Sequence, residues 1–191
     1  MYVGQSCLIN SFVNRFICTN MVQNKNLLSN NSKLMAEWDY DKNENEGLNP
    51  FELTLGSHET AWWKCCVCGH EWPAKIYSRS AGRGCPVCAG REVKQGYNDL
   101  ATTHPKLAEE WHPTKNGDLK PVDVTKGSHE EVWWICEKGH DYPSAIYSRV
   151  AGNGCPYCAG KKVLPGYNDL ATTHPKLARE WHPTKNGSLK P

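Results

Sequence analysis

Two pairs of closely spaced cysteines are the residues of this sequence with the clearest chemistry. Cys65 and Cys68 form one C-x-x-C pair, and Cys85 and Cys88 form another after sixteen intervening residues. Thiolates at this spacing bind zinc in a tetrahedron, and a small residue or glycine after each pair lets backbone N–H groups turn toward the sulfurs. Without the basic region of a secretory signal, we expect an intracellular location, cytoplasmic or nucleic-acid associated, where disulfides are disfavoured. The spacing therefore predicts a structural zinc ion.

A second set of candidate ligands contains a histidine in place of one cysteine. Aligning the two Trp-Trp pairs of the chain sets Cys136 on Cys65, and the nearest ligand after it is His140 of a Gly-His dipeptide. Cys155 and Cys158 form the partner C-x-x-C pair. Three cysteines and one histidine are an accepted structural zinc site. The sequence therefore predicts two structural zinc ions per chain.

Two residues beside the first set are surplus to its four ligands. His70 occupies the Gly-His position that His140 fills in the second set, but Cys68 already completes the first. We expect His70 to be a surface imidazole beside the site. Cys66 is likewise not expected to bind the metal.

Both predicted sites have four protein ligands, so neither leaves a position for water and the zinc is expected to be structural. With zinc and its thiolates counted, the formal charge of +2 falls to about −1, so bulk charge gives no argument for nucleic acid. The pairs His58-Glu59 and His129-Glu130 could suggest acid–base chemistry. They lie at Gly-Ser-His turns without a nucleophile–base pair or a phosphate loop, so we predict no catalytic residues and no enzyme.

The chain is built from an internal repeat. Residues 96–121 recur as residues 166–191 with an offset of 70, and the two copies differ at only two positions, Glu109/Arg179 and Asp118/Ser188. The cysteine-containing blocks repeat too, and a diverged first copy of the helical part covers residues 27–39. Helical and cysteine parts thus alternate, beginning and ending with a helical part. This order fits two zinc modules bracketed by three helical parts, and equally a piece of a longer array.

The helical part is predicted to be short. Pro105 suits the first helical position, with Thr103 or His104 as the cap. Leu107 and Trp111 are four residues apart and share one face. About two helical turns are too few to stand alone in water, so we expect this face to pack on a neighbouring cysteine part.

The cysteine part is predicted to be a β-hairpin. Residues 61–65 and 132–136 are strand-like in their aromatic and β-branched content. The alternating residues after each cysteine turn predict a return strand, which Pro73 and Pro143 place at a sheet edge.

The composition favours several small cores. Hydrophobic residues make up 39% of the chain, with 8 Trp and 8 Tyr but only 3 Phe. Cores of this size each need an additional cross-link, such as a bound metal ion. No apolar run approaches ~18 residues, so no membrane span is expected.

The motifs W-W-x-C, G-H, Y-S-R and C-P-x-C-A-G, together with the linker N-D-L-A-T-T-H-P-K-L-A-x-E-W-H-P-T-K-N-G, resemble a known family. It consists of tandem probable zinc-ribbon repeats, also described as treble-clef zinc fingers, and the resemblance covers about residues 27–191. It implies zinc ligation by Cys65, Cys68, Cys85 and Cys88, and by Cys136, His140, Cys155 and Cys158. Some relatives sit beside endonuclease-like domains, which implies by association a nucleic-acid-binding accessory.

The predicted fold class is small zinc-stabilised α+β repeats, in which β-hairpin modules of zinc-ribbon or treble-clef-like form alternate with short helices. Ribbon and treble clef would differ in whether residues 89–91 begin a helix. The predicted domains are a disordered leader or mis-started N-terminus (1–25), a diverged helical part (26–56), and two zinc modules each with its following helix (57–121 and 127–191).

Two functions remain open at this point. The first is a non-catalytic DNA- or RNA-binding array, whose contacts are predicted at Lys75, Arg79, Arg83, Arg91, Arg149, Asn153, Lys161 and Lys162. The alternative is a protein–protein interaction or scaffolding repeat, favoured by the balanced charges of residues 128–166. No small-molecule substrate is expected.

Overall fold

The computed structural model describes residues 26–191, so the prediction for residues 1–25 lies outside it. The chain divides into two compact units. The first contains described residues up to 66 together with 71–83, and the second contains residues 67–70 and 84–191.

The first unit contains two short helices, a hairpin and a third helix. Asn31 and Asp39 cap the first two helices, since their side chains accept the N–H groups of Leu34 and Lys42, both at 3.1 Å. The hairpin strands are antiparallel, and Trp63 lies opposite Trp72. The elements are α1 (Ser32–Ala36), α2 (Tyr40–Asn45), β1 (Thr60–Lys64), β2 (Glu71–Lys75) and α3 (Ile76–Ser80).

An edge-to-face tryptophan pair joins the helical part to the hairpin. The rings of Trp38 and Trp63 are 5.4 Å apart at an interplanar angle of 88°. Trp63 is completely buried, and its indole N–H donates to the carbonyl of Ala74 at 3.0 Å. Such ring pairs add about 0.5–1.5 kcal/mol to the stabilisation from burial. Trp38 also forms an isolated antiparallel β-bridge with Trp63. The bridge adds one residue of the helical part to the edge of β1.

The side chain of Asn43 takes the place of a further strand at the edge of β1. Its amide donates to the carbonyl of Trp62 at 2.8 Å, and its carbonyl accepts the N–H of Trp62 at 2.7 Å. Asn43 is completely buried. A single side chain therefore binds both backbone groups of Trp62 at this edge, where the N–H of Asp39 also donates to the Trp62 carbonyl at 3.2 Å.

The second unit repeats this arrangement and adds a third helical part. Trp111 packs edge-to-face on Trp134 at 5.3 Å and 78°, and Asn116 binds both backbone groups of Trp133 at 2.7 and 2.9 Å. Leu100, Ile146 and other buried residues complete the core. The elements are α4 (Leu100–Thr103), α5 (Pro105–Glu109), β3 (Glu131–Ile135), β4 (Asp141–Ala145), α6 (Ile146–Val150), α7 (Leu170–Thr173) and α8 (Pro175–Ala178).

The structure agrees with the predicted helix start and adds detail at three other points. Pro105 begins α5, although the side chain of its N-cap His104 makes no capping bond. A separate turn, α4, precedes it because the carboxylate of Asp99 accepts the N–H of Thr102 at 2.8 Å. The return strands end at Lys75 and Ala145, since Ile76 begins α3 and Ile146 begins α6. The sequence left open whether residues 89–91 begin a helix, and the structure has a turn there.

The packing gives information on how the parts pair. The predicted boundaries group each hairpin with the helical part that follows it, and they stay a prediction. The ring contacts of Trp38 and Trp111, however, join each of these helical parts to the hairpin that comes after it. Within the described part of the chain, no helix is long and apolar enough to cross a bilayer.

We expect Asn43→Ala to destabilise the first hairpin by about 2–3 kcal/mol, because two hydrogen bonds are lost and the N–H of Trp62 is left unpaired, while its carbonyl keeps the N–H of Asp39. Native-state hydrogen exchange should then show protection of the Trp62 amide falling about 30-fold or more. Asn49→Ala is the matched control. It removes bonds of an exposed asparagine to Glu52 and Phe51, and should cost less than about 0.5 kcal/mol. Equal effects of the two variants would contradict this role of Asn43.

Candidate metal centres

The hairpin turn and the loop after α3 supply the ligands of the first centre. Cys65 directly follows β1, and Cys68 lies in the turn between the strands. Gly69 after this pair has φ of 67°, a conformation that glycine adopts without strain, and it lets the knuckle close tightly. The sulfurs of the four predicted cysteines lie within 4.8 Å of one another, and the Cys68 and Cys85 sulfurs are 3.6 Å apart.

The second centre brings together its four predicted ligands in the same way. The Cys136 and Cys158 sulfurs are 3.8 Å apart. The Nδ1 atom of His140 lies 3.5 Å from the Cys136 sulfur, 3.3 Å from Cys158 and 3.7 Å from Cys155. His140 therefore turns Nδ1, not Nε2, toward the three sulfurs.

These distances fit a zinc tetrahedron. Zinc–sulfur bonds of ~2.3 Å and a zinc–nitrogen bond of ~2.0 Å place sulfurs about 3.8 Å apart and sulfur and nitrogen about 3.5 Å apart. The separations in both clusters lie close to these values. The two four-ligand clusters therefore fit two structural zinc ions, the first held by four cysteines and the second by three cysteines and one histidine.

Backbone groups and a tyrosine surround the second centre. Burial opposes ionisation of Cys136, but backbone N–H groups of His140 and Lys138 outweigh it and lower the pKa of this thiol. Burial raises the pKa of Cys155. The Tyr167 ring lies 4.1 Å from the His140 ring, and its hydroxyl donates to the Cys158 sulfur at 3.9 Å. Such outer contacts orient the ligands.

The two surplus residues lie outside the clusters. The Nε2 atom of His70 lies 3.2 Å from the carboxylate of Glu92. The Cys66 thiol is exposed and lies 3.7 Å from the carboxylate of Glu37. The four atoms that converge at the first centre include neither residue.

Two arginines predicted as nucleic-acid contacts are interior residues. Arg79 is 6% exposed and Arg149 is 8% exposed. Arg79 forms an ion pair with Glu37, and Arg149 forms one with Glu110. Each guanidinium also donates to a backbone carbonyl in the loop after its helix, that of Arg83 in the first copy. These arginines fasten loops, and their charges are already neutralised by carboxylates.

The other predicted contact residues behave differently. Lys75 and Arg83 are exposed, as are Arg91, Lys161 and Lys162. Asn153 is also exposed, although its amide donates to the Ser148 hydroxyl at 3.1 Å.

Sequence reasoning missed two exposed ring pairs. His58 lies on Tyr77 with ring centres 4.7 Å apart, and His129 lies on Tyr147 at 4.5 Å. The repeated G-S-H and I-Y-S-R motifs were the available signal. The neighbouring glutamates belong to turns, since the Glu59 N–H donates to the Ser57 hydroxyl at 3.1 Å.

Elemental analysis of the purified chain should find two zinc ions. Because each module buries little aliphatic surface and structural zinc supplies about 10–16 kcal/mol of apparent binding energy, a strong chelator should abolish the near-UV dichroism of the buried tryptophans. Fewer than one zinc ion per chain, or an unchanged spectrum after chelation, would contradict the assignment.

Matched substitutions separate ligands from bystanders. We expect His140→Ala and Cys136→Ser each to lose the second zinc ion and unfold that module, because three ligands cannot close the tetrahedron. His70→Ala and Cys66→Ser change the same residue types beside the first centre and should retain two zinc ions. Equal zinc loss in a ligand variant and its control would show that the knuckle ligands are misassigned.

Comparison with known proteins supports this assignment. A family model described as a probable treble clef zinc finger domain matches the chain twice, over residues 34–91 and 107–161. Each match begins in a helical part and ends just after a C-P-x-C knuckle. A search of curated proteins finds no match. With more than half of its length matched and both ligand clusters in place, the chain belongs to the family described as a probable treble clef zinc finger domain and carries two copies of it.

Proposed function

We propose that the two treble clefs form a non-catalytic nucleic-acid-binding accessory, whose contacts lie on the exposed surfaces of α3 and α6. The observation that carries the proposal is a pair of exposed cations at the two ends of α3, with an exposed aromatic ring between them. Closed zinc sites of four protein ligands offer no position for a substrate, which favours binding over catalysis.

The cations of α3 are available to phosphate. Lys75 is the N-cap of this helix. Arg83 follows its C-terminal end, where the Arg83 N–H donates to the carbonyl of Ser78. Both side chains are exposed, and neither forms an ion pair with a described residue. Arg79 is left out of the surface because it is buried against Glu37. Unpaired exposed cations are the groups that displace counterions from a phosphate backbone.

The ring pairs supply a stacking surface. Tyr77 is 40% exposed and Tyr147 is 47% exposed, and each lies against a histidine that is itself exposed. Aromatic rings held open to solvent stack on the bases of single strands regardless of sequence. The two copies keep these rings while their other surface residues change.

The copies differ in charge. Where the first has Lys75 and Arg83, the second has Ala145 and Asn153. The second copy does carry exposed cations at Lys161 and Lys162, but they lie beyond its knuckle rather than beside α6. Of the surfaces at α3 and α6, the one at α3 in the first copy should therefore supply most of the electrostatic affinity for nucleic acid.

Protein interaction is the second candidate, and a specific observation favours it. The described residues expose several apolar side chains, among them Phe51, Val67 and Val163. Apolar surface of this kind suits a protein partner better than a phosphate backbone.

We expect Lys75→Ala/Arg83→Ala to reduce the slope of log K against log salt by about one to two units, because each phosphate contact contributes slightly less than one unit. Binding to random single-stranded RNA and DNA is measured by fluorescence anisotropy over a range of salt concentrations. The control variant Lys176→Ala/Lys190→Ala removes two cations from the third helical part and should leave the slope unchanged.

A further variant tests stacking separately from charge. Tyr77→Ala should weaken single-strand binding about fivefold or more while leaving the salt slope intact. Tyr40→Ala removes another exposed tyrosine and serves as its control. A folded, zinc-loaded chain without detectable binding at low salt would overturn the proposed function.

A further inference from the structure

The first helical part carries a shallow groove of about 370 Å³. Its lining includes Phe51, which is 65% exposed, and Tyr40, which is 54% exposed. These two are more exposed than any other Phe, Tyr or Trp side chain that the structure describes. A volume near the lower end of the range for ligand pockets suits one inserted side chain. The principal lining residues are Trp38, Tyr40, Glu44, Leu48, Pro50 and Phe51.

The backbone around the groove is held in place. Trp38 is 4% exposed, and Pro50 is also buried. Tyr40 is the first residue of α2, and the N–H of Phe51 donates to the side-chain oxygen of Asn49 at 3.1 Å. The exposed rings therefore belong to an ordered backbone, which lowers the entropic cost of binding.

The aromatic lining is particular to the first helical part. The second copy has Pro113 in place of Tyr40 and Val122 in place of Phe51. Pro113 is exposed although a complete zinc module precedes it in the chain. The openness of this surface therefore does not result from its position near the start of the described residues.

The groove lies in an acidic segment. Residues 39–52 contain five carboxylates and one lysine, a formal charge of −4, whereas the corresponding residues 112–123 have a formal charge of zero. The lysine, Lys42, pairs with Glu71 at 2.9 Å, outside the segment. Glu44 lines the groove, is exposed and forms no ion pair with a described residue. An anionic groove with exposed aromatic rings is complementary to a cation and repels a phosphate backbone.

Arginine fits this surface better than lysine. Its planar guanidinium stacks on an aromatic ring and at the same time presents a fork of N–H groups to a carboxylate, whereas the ammonium of lysine is a compact point charge. The chain itself contains this combination in its interior. The Arg79 guanidinium lies 5.0 Å from the centre of the Trp63 ring and pairs with Glu37.

We propose that the groove at Tyr40 and Phe51 binds an arginine side chain from a basic segment of a partner protein. The guanidinium stacks on these rings and pairs with Glu44, and the surrounding carboxylates attract the rest of the basic segment. No residue of the proposed nucleic-acid surfaces takes part. The inference is therefore independent of nucleic-acid binding.

Peptide binding to the zinc-loaded full chain tests this proposal. The probe is a fluorescent peptide of alternating arginine and serine residues, and the matched probe carries citrulline, which has the shape of arginine without its charge. Affinity is measured by fluorescence anisotropy without nucleic acid. The variant chain is Tyr40→Ala/Phe51→Ala, and its control is Val93→Ala/Val163→Ala, which removes two other exposed apolar side chains.

We expect the arginine peptide to bind the wild-type and control chains at least about tenfold more tightly than the aromatic variant, because stacking is lost. The citrulline peptide should bind the wild-type chain at least about tenfold more weakly than the arginine peptide. Glu44→Gln should weaken binding of the arginine peptide about threefold or more, whereas Glu109→Gln, at another exposed carboxylate, should not. All variants should retain two zinc ions, since the substituted side chains are exposed.

Three results would overturn the proposal. They are equal binding of the arginine and citrulline peptides, equal binding by the wild-type chain and the aromatic variant, and no binding at about 1 mM peptide. Self-association of the chain that disappears in Tyr40→Ala/Phe51→Ala, measured by sedimentation velocity without peptide, would assign the groove to a second copy of the chain and would also overturn it.

Discussion

The buried indole of Trp63 is the residue on which the first copy depends. Its ring meets Trp38 of the helical part, its N–H bonds to the carbonyl of Ala74 on β2, and the Arg79 guanidinium lies 5.0 Å above it. Helical part, hairpin and α3 therefore share one contact. Trp134 occupies the same place in the second copy, with Trp111, Ser144 and Arg149 around it. A two-stranded hairpin is marginal in water, and this aromatic centre together with zinc explains why each copy folds.

The buried arginine of each copy links the aromatic centre to the loop before the C-P-x-C pair. Arg79 stacks between Trp63 and Trp72, pairs with Glu37 and donates to the carbonyl of Arg83, two residues before the C-P-x-C pair. Removing one partner of a buried ion pair leaves an uncompensated charge, which typically costs about 3–5 kcal/mol. The loop that supplies zinc ligands is thus held by the helical part through a charge pair. Ligand placement and helix packing are therefore coupled within each copy.

The zinc ligands could be predicted from sequence because spacing within a knuckle is a local property. Even the replacement of a cysteine by His140 followed from aligning the Trp-Trp pairs. The fate of Arg79 could not be predicted in the same way, since its carboxylate partner lies 42 residues earlier and no local pattern announces it. Basic residues near a glycine-flanked loop suggest an exposed binding surface. Arg79 is instead buried and holds the fold together through its pair with Glu37. The start of α3 was missed because Ile76 continues the alternation of the strand before it.

The contrast between copies separates residues that hold the fold from residues that face solvent. The tryptophan pairs, the asparagine at the strand edge and the Arg–Glu pair are retained between the first two copies. The positions that change, such as Lys75/Ala145 and Arg83/Asn153, carry side chains that the buried network does not use. Surface charge can therefore vary from copy to copy at little cost in stability. Since folding is fixed by the shared network, copies of one domain can acquire different affinities for a partner while each keeps a four-ligand zinc centre.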